Sequence, residues 1–152
     1  MKRSLREWGK IYEHWLPQVQ QATIPKILQT HPEELRYARQ RVRWLLSHYG
    51  VGTIYEFGCG SGHISGYLHG LGYSVVGVDY HPILKTFCDV WQVPFQQFNM
   101  QRPREFPLRH PATVLTVDAM EQIHHWKPFL RYCLRSQFAR VIHLEPLVEL
   151  CD

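Results

Sequence analysis

The chain has 152 residues, of which 45% are hydrophobic and 20% charged, a size and composition typical of one globular domain with a normal core. No apolar run approaches the roughly 20 residues of a transmembrane helix, and no apolar signal-peptide core follows the basic start. A cytoplasmic protein without a membrane partner is therefore expected. The four cysteines, at positions 59, 88, 133 and 151, are dispersed, which predicts free thiols and no metal site.

The first fifty residues are basic. They contain nine Lys or Arg and four Asp or Glu residues, a net charge of +5, whereas the remainder of the chain has a net charge of −1. Arg36, Arg39 and Arg43 recur every three or four residues. This spacing fits a solvent-exposed helix face, and it equally fits a surface for an acidic substrate or for nucleic acid.

The same segment is predicted to be helical. Pro17, Pro25 and Pro32 divide it, because proline lacks an amide donor and so ends or opens a helix. The acidic residues after Pro32 predict a helix over 33–49 that ends at Gly50. Residues 1–50 are expected to form a helical cap that belongs to the same domain as residues 51–152.

From position 51 onward, strand-like and helix-like runs alternate. Several strand-like runs are apolar without alternation, as in parallel strands buried on both faces. Alternating strands and helices predict an α/β, Rossmann-like, doubly wound and mostly parallel sheet, with a surface loop over 102–111. The predicted strands are Thr53–Phe57, Ser74–Asp79, Phe95–Phe98, Thr113–Asp118 and Arg140–Glu145, and the predicted helices are His63–Leu71, Pro82–Trp91 and Lys127–Phe138.

The segment from Glu56 to Gly62 is the strongest functional signal. Its glycines alternate, at positions 58, 60 and 62, between a strand and a helix, which lets the backbone approach a bound molecule closely. A dinucleotide site requires G-x-G-x-x-G, but here the third glycine comes one residue early and position 63 is His. The sequence therefore favours a nucleotide-type cofactor other than a dinucleotide.

Two segments together resemble class I S-adenosylmethionine-dependent methyltransferases. They are EFGCGSGHISGYLHGLGYSVVGVDYHP, over 56–82, and VLTVDAMEQIHH, over 114–125. The first resembles the family's E/D-x-G-x-G-x-G loop, and the resemblance implies S-adenosylmethionine as cofactor. The implied loop residues are Glu56, Gly58, Cys59, Gly60 and Gly62.

An acidic residue at the end of the second strand is the next element of the predicted site. Asp79 follows Gly58 by 21 residues, the spacing at which Rossmann-like folds place a carboxylate that binds both ribose hydroxyls. Tyr80 would then lie beside the adenine. The resemblance places Asn99, where the family commonly has Asp, at the adenine amino group, with the Met100 amide at a ring nitrogen.

The segment after the fourth strand is expected to line the reacting end of the cofactor. By resemblance, Asp118, Ala119 and Met120 would line the methionine portion, and Glu121 would lie near the transferring methyl group. Relatives that methylate base amines carry [D/N]-P-P-[Y/F] here, and this chain does not, which disfavours nucleic acid base N-methylation.

Methyl transfer from a sulfonium needs mainly alignment, but an oxygen nucleophile also benefits from a base. Glu121 and His124 are the candidate catalytic residues, with His125 as an alternative base. Both histidines also fit ordinary polar residues of a short helix. His143, in the His-Leu-Glu-Pro segment that begins there, fits either the mouth of the site or a buried, hydrogen-bonded strand position.

The predicted function is S-adenosylmethionine-dependent methylation, with a hydroxyl or carboxyl of a small molecule or sugar as acceptor. Two alternatives remain: a non-catalytic cofactor-binding or partner subunit, and a nucleic acid methyltransferase that uses the basic N-terminal helices. The family usually continues with a helix and a β-hairpin beyond the fifth strand. That strand would then be an exposed edge: either the protein is shortened or truncated, or the edge is covered by the N-terminal helices, a partner subunit or a second copy.

Overall fold

A computed structural model describes residues 32–144 and, before them, residues 6, 7, 10, 11, 13, 14, 16 and 17, without the side chains of 32–35 and 121. The helices are α1 (Pro32–Tyr49), α2 (His63–Gly70), α3 (Leu84–Val90) and α4 (Lys127–Arg135), with a 3-10 turn at Met120–Gln122. The strands are β1 (Thr53–Phe57), β2 (Val75–Asp79), β3 (Phe95–Gln97), β4 (Ala112–Val117) and β5 (Arg140–Leu144).

The five strands form one parallel sheet in the order β3-β2-β1-β4-β5. The predicted Rossmann-like α/β fold is confirmed, and each described strand boundary lies within one residue of its prediction. The chain runs outward from β1 to β3 and then crosses to β4 on the other side of β1. The connections that follow β1 and β4 therefore run in opposite directions and leave a crevice between them. Open α/β sheets bind ligands in such crevices.

Both faces of the sheet are buried, because neighbouring residues of a strand point to opposite sides. In β4, Leu115 belongs to a core cluster with residues of α1, α2 and α3, whereas Val114 belongs to a second cluster with Phe129 of α4. Strands enclosed in this way are mostly apolar on both sides. This explains the uninterrupted apolar runs in the sequence.

Helix α1 is part of the first core cluster. Its residues Val42 and Leu46 are buried and lie in the same cluster as Ile142 and Leu144 of β5. The predicted helix before Gly50 is confirmed. Of the earlier residues, those described between 6 and 17 are helical, and Leu16 packs with the buried residues of α3; the predicted break at Pro25 lies outside the described residues.

The connection from β3 to β4 is irregular, as predicted, but it is more than a surface loop. Phe106 lies edge-on to Tyr55 and Phe98, with ring centroids 5.6 and 5.2 Å apart. The Arg109 amide donates a 2.7 Å hydrogen bond to the Tyr55 hydroxyl. Aromatic contacts thus cover this part of the sheet in place of a helix.

Strand β5 lies at one edge of the sheet, and its Val141 is 41% exposed. The residues that follow Leu144 lie outside the described part of the chain. Coverage of this edge by a partner or a second copy stays a prediction. Within the described residues, no helix combines the length and the apolar character that crossing a bilayer requires.

Candidate cofactor site at the carboxyl edge of the sheet

The glycine loop joins the end of β1 to the start of α2. Gly58, Gly60 and Gly62 have φ values of 78°, 50° and 70°, a left-handed conformation that side chains disfavour. The Gly58 amide donates a 2.8 Å hydrogen bond to the Val78 carbonyl, and the Cys59 amide donates a 3.2 Å bond to the same oxygen. The loop is therefore tied to the end of β2.

The three glycines have different surroundings. A Cβ atom on Gly58 would lie 2.5 Å from Cβ of Ala119, and one on Gly62 would lie 3.2 Å from Cδ1 of Trp91. Around a Cβ atom on Gly60, no atom of the described residues lies within 4 Å. The sequence predicted space for a ligand along the whole loop, but only Gly60 opens onto such space. Gly58 and Gly62 are required by packing.

Asp79 ends β2 beside the open glycine. Its Oδ2 accepts a 3.1 Å hydrogen bond from the Gly60 amide, and its Oδ1 accepts a 2.7 Å bond from the Tyr80 amide. Burial raises the pKa of Asp79 to about 6, while these amides and that of His81 oppose the rise. The carboxyl is thus ionised at neutral pH. A carboxylate has about four lone-pair sites, so it keeps acceptor capacity for a ligand hydroxyl.

Glu56 lies on the face of the sheet that packs against α2. Its side chain is 3% exposed, and its Oε2 accepts a hydrogen bond from the Ser65 hydroxyl of that helix. Burial raises the pKa of Glu56 to about 8, so the group is largely neutral at pH 7. In the structure, this carboxyl connects the strand to the helix behind the loop. Its predicted role in cofactor binding stays a prediction.

Trp91, which follows α3, supports the loop from behind. Its indole Nε1 donates a 3.0 Å hydrogen bond to the Ser61 carbonyl, and its ring lies against the backbone of Gly66. Cys59 and Cys88 lie beneath, with their sulfurs 3.9 Å apart; both are free, as predicted, and so is Cys133. Nothing local in the sequence indicated the role of Trp91, because its partners are about 25–30 residues away.

The predicted adenine residues follow β2 and β3. Tyr80 is half-buried, and its carbonyl accepts a 2.8 Å hydrogen bond from the Gln97 amide group. Asn99 uses its Oδ1 to accept a 2.9 Å bond from the Gln101 amide, so its side chain stabilises its own turn. The Met100 side chain lies 3.3 Å from the position of a Cβ atom on Gly58. The structure thus brings these residues to the same edge of the sheet.

The segment after β4 meets the glycine loop directly. Asp118 is exposed, has a φ of 51°, and its amide donates a 2.9 Å hydrogen bond to the Leu144 carbonyl. Ala119 is 6% exposed and contacts Gly58, and the half-buried Met120 packs into the second core cluster. The structure therefore places this segment on the opposite side of the loop from Asp79.

The candidate bases lie further along the same segment. His124 and His125 are exposed, and the side chain of Glu121 lies outside the described residues, so a Glu121–His124 pair stays a prediction. One sequence interpretation placed His143 at a buried strand position, and the structure shows that this is wrong. It is exposed, and its Nδ1 lies 2.7 Å from the hydroxyl of buried Thr116. The Glu and Pro that follow it along the chain lie outside the described residues.

Arg39 is the residue whose surroundings differ most from the solvent-exposed helix face that its spacing suggested. It is half-buried, and its guanidinium carbon lies 5.0 Å from the centroid of the Tyr67 ring. Its Nη2 lies 3.4 Å from the carbonyl of His63, the first residue of α2. Arg36 and Arg43 are exposed. Among the described residues, no group of three or more His, Cys, Asp or Glu side chains could hold a metal ion.

Several solved structures are similar to this chain. The glycopeptide N-methyltransferase MtfA with S-adenosylhomocysteine matches at 17% identity and a TM-score of 0.53, over 66% of this chain and 44% of that one. MtfA with sinefungin matches at 20% identity and a TM-score of 0.51, over 72% and 46%. A structure on the conversion of a disulfide bond into a thioacetal group during echinomycin biosynthesis matches at 20% identity and a TM-score of 0.51, over 62% of this chain and 42% of that one.

These similarities establish the fold: the described sheet and helices have the Rossmann-like α/β architecture of the MtfA structures, the fold that the sequence resemblance predicted. The chain spans less than half the length of these proteins. No protein-family model and no curated protein sequence matches it.

Proposed function

We propose that this chain binds S-adenosylmethionine above Gly60 and transfers its methyl group to a small acceptor. One observation carries the proposal. The backbone of Gly60 faces space free of described atoms, and its amide is bonded to the buried, ionised carboxylate of Asp79. An open loop beside a charged acceptor suits a nucleoside, whose ribose hydroxyls can donate to such a partner. The similar enzyme MtfA was crystallised with S-adenosylhomocysteine and with sinefungin, which supports the same ligand class here.

The position of Asp79 orients the cofactor in this proposal. With the ribose at Asp79, the adenine extends toward Tyr80, Asn99 and the Met100 amide, which follow β2 and β3. The methionine portion extends toward the segment of Asp118 to Met120, across the loop. The Asn99 side chain keeps an NH2 group and a second lone pair for the adenine, because the Gln101 amide uses only one of its acceptor sites.

We further propose that the acceptor is a hydroxyl or carboxyl of a small molecule or sugar. The cofactor supplies an electrophilic methyl group on a sulfonium. Residues 118–120 would hold that end of the cleft, and His124, oriented by Glu121, would take the proton of a hydroxyl acceptor. His124 is exposed, so it is accessible to an acceptor that enters from solvent. The absence of the amine-binding [D/N]-P-P-[Y/F] sequence supports an oxygen acceptor over a base amine.

Calorimetry with S-adenosylmethionine, followed by an acceptor screen that detects S-adenosylhomocysteine, tests the proposal in two steps. We expect binding, and then product with at least one hydroxyl or carboxyl compound. Binding without turnover, across a screen that includes amines and thiols, would favour the non-catalytic cofactor-binding or partner subunit. Failure of the cofactor to bind would overturn the proposal.

A row of exposed residues on α1 favours a second candidate, a nucleic acid acceptor. Tyr37, Arg41, Trp44 and His48 follow one another at helical spacing. Arg41 lies 5.3 Å from the Tyr37 ring centroid, and the Trp44 and His48 ring centroids are 4.6 Å apart. Aromatic side chains beside basic ones suit stacked bases and phosphates of a single strand.

This candidate predicts that a fluorescent single-stranded oligonucleotide binds with an affinity that falls steeply as salt is raised. Trp44→Ala should weaken that binding about tenfold, because base stacking contributes about 1–3 kcal/mol per base. Leu134, which is 86% exposed on α4, offers a control through Leu134→Ala. Anisotropy that is independent of salt, or equal in both variants, would eliminate the nucleic acid candidate.

A further inference from the structure

The guanidinium of Arg39 is held at the start of α2, next to the glycine loop. The Tyr67 ring lies beneath it, and the His63 carbonyl lies 3.4 Å from its Nη2, a long and weak hydrogen bond. His63 in turn is linked to the loop, because its Nδ1 lies 3.0 Å from the Ser61 hydroxyl. Among the described residues, these contacts fix the position of the cation and leave most of its donors unused.

Arg39 lacks a charge partner among the described residues. Its Nε is buried and has no hydrogen-bond acceptor in this part of the chain, and none of the described carboxylates forms an ion pair with it. Burial, with a smaller contribution from Arg39, lowers the pKa of His63 to about 4, so that ring is neutral. A partly buried cation with an unpaired donor is costly unless a ligand supplies an anion.

The position of α1 puts Arg39 at a defined end of the cleft. Helix α1 contacts strand β5 and helix α2 directly, and Val42, one turn after Arg39, is buried in a core cluster that includes Ile142 and Leu144 of β5. Strands β4 and β5 lie on one side of β1, and β2 with Asp79 lies on the other. A ligand whose ribose is bound at Asp79 therefore extends its far end toward the side of the loop where Arg39 lies.

We infer that Arg39 binds the carboxylate of the methionine portion of S-adenosylmethionine. The inference rests on the proposed cofactor and adds a residue from outside the segments that the sequence resemblance covered. The planar guanidinium has donors in a fork that matches the two oxygens of a carboxylate. The glycine loop recognises the nucleoside from its Asp79 end, and α1 recognises the amino acid from the opposite end.

The test compares two ligands that differ only at the carboxylate, S-adenosylmethionine and its decarboxylated analogue. Calorimetry on the full chain should show that the wild type binds S-adenosylmethionine about tenfold or more tightly, the range for a hydrogen bond to a charged group. Arg39→Met should lose that preference, with weaker binding of S-adenosylmethionine and unchanged binding of the analogue. Arg39→Lys should recover part of it, because it restores the charge without the fork.

Arg43→Met is the matched control, because Arg43 lies one turn further along the same helix and is exposed. It should bind both ligands as the wild type does. If the wild type binds neither ligand, the proposed function itself fails. If it binds both equally, or if Arg39→Met weakens both to the same extent, the carboxylate assignment is overturned while the cofactor assignment stands. Should Arg39→Met fail to fold, the wild-type preference and the Arg39→Lys variant still decide the outcome.

Discussion

Two buried carboxyl groups at the ends of neighbouring strands have contrasting environments. Asp79, 6% exposed, accepts hydrogen bonds from backbone amides at the edge of the cleft and has a pKa raised to about 6. Glu56, 3% exposed, accepts hydrogen bonds from the hydroxyl and the backbone amide of Ser65, behind the loop, and has a pKa raised to about 8. At pH 7 the first is charged and the second largely neutral. Burial alone therefore does not indicate which acid binds a ligand. The two acids differ in where their donors lie: at the edge of the cleft for Asp79 and behind the loop for Glu56.

The open space above Gly60 distinguishes the cleft side of the loop from the packed side behind it. Filling this space should have the largest effect on cofactor binding. Gly60→Val should weaken S-adenosylmethionine binding by at least about 100-fold, equivalent to about 2.7 kcal/mol, because the side chain would project into the open space. Calorimetry measures the loss.

Gly72→Val is the control for backbone strain. Gly72 has a φ of 86°, and a Cβ atom there would have no described atom within 4 Å, but it lies at the opposite end of α2 from the loop. Both variants should lose stability in thermal unfolding, whereas only Gly60→Val should lose binding. If Gly60→Val bound S-adenosylmethionine as tightly as the wild type, the loop would have a structural role only.

Removing the charged acid should have the next largest effect. Asp79→Ala should weaken S-adenosylmethionine binding at least tenfold, because hydrogen bonds to a charged acceptor contribute about 1.5–3 kcal/mol each. Asp79→Asn keeps an acceptor oxygen and should lose less. Calorimetry at neutral pH gives both values, and unchanged affinity in Asp79→Ala would refute the ribose assignment.

The same carboxylate predicts a pH dependence. As the pH falls through about 6, Asp79 gains a proton and loses its charge, so the affinity of the wild type should fall in that range. The Asp79→Asn variant, which has no such proton to gain, should show a flatter profile. Equal profiles for the two proteins would assign the titration to another group.

Changing the acid behind the loop should have the smallest effect on binding. Glu56→Gln is nearly the same shape as the neutral acid, so affinity at pH 7 should change by less than about threefold, or about 0.65 kcal/mol. A larger loss would show that Glu56 contacts the cofactor, as the sequence resemblance implies. Glu56 and Asp79 would then not differ in whether they contact the cofactor.

Glu56→Gln should instead change how stability depends on pH. The raised pKa means that the folded state holds a proton that the unfolded state has released, so wild-type stability should fall as pH rises from the ordinary pKa of 4.5 to about 8. The slope should approach about 1.4 kcal/mol per pH unit. Urea unfolding at several pH values should show a flatter line for the variant and greater stability than wild type above pH 8.

Local patterns in the chain were sufficient to predict the fold and the positions of the glycine loop and Asp79 at one edge of the sheet. The apolar runs, the glycine spacing and the acid 21 residues after Gly58 each depend on residues close in sequence or on the regular repeat of a strand-helix unit. The order of the elements and the meeting of the loops after β1 and β2 follow from that repeat. This is why the strands, the glycine loop and the position of Asp79 were predicted within a residue.

Contacts between distant residues decided the remainder. Ala119 and Trp91 determine that Gly58 and Gly62 serve packing, so that Gly60 alone opens to the cleft. Helix α1, through Arg39, places a cation beside the carbonyl of His63, 24 residues away at the start of α2. Periodicity identifies a residue's position on its own helix, but the neighbour that the helix meets depends on the folded core. The sequence by itself determined the framework and the open loop, and the tertiary structure determined which side chains are buried behind that loop and which face the cleft.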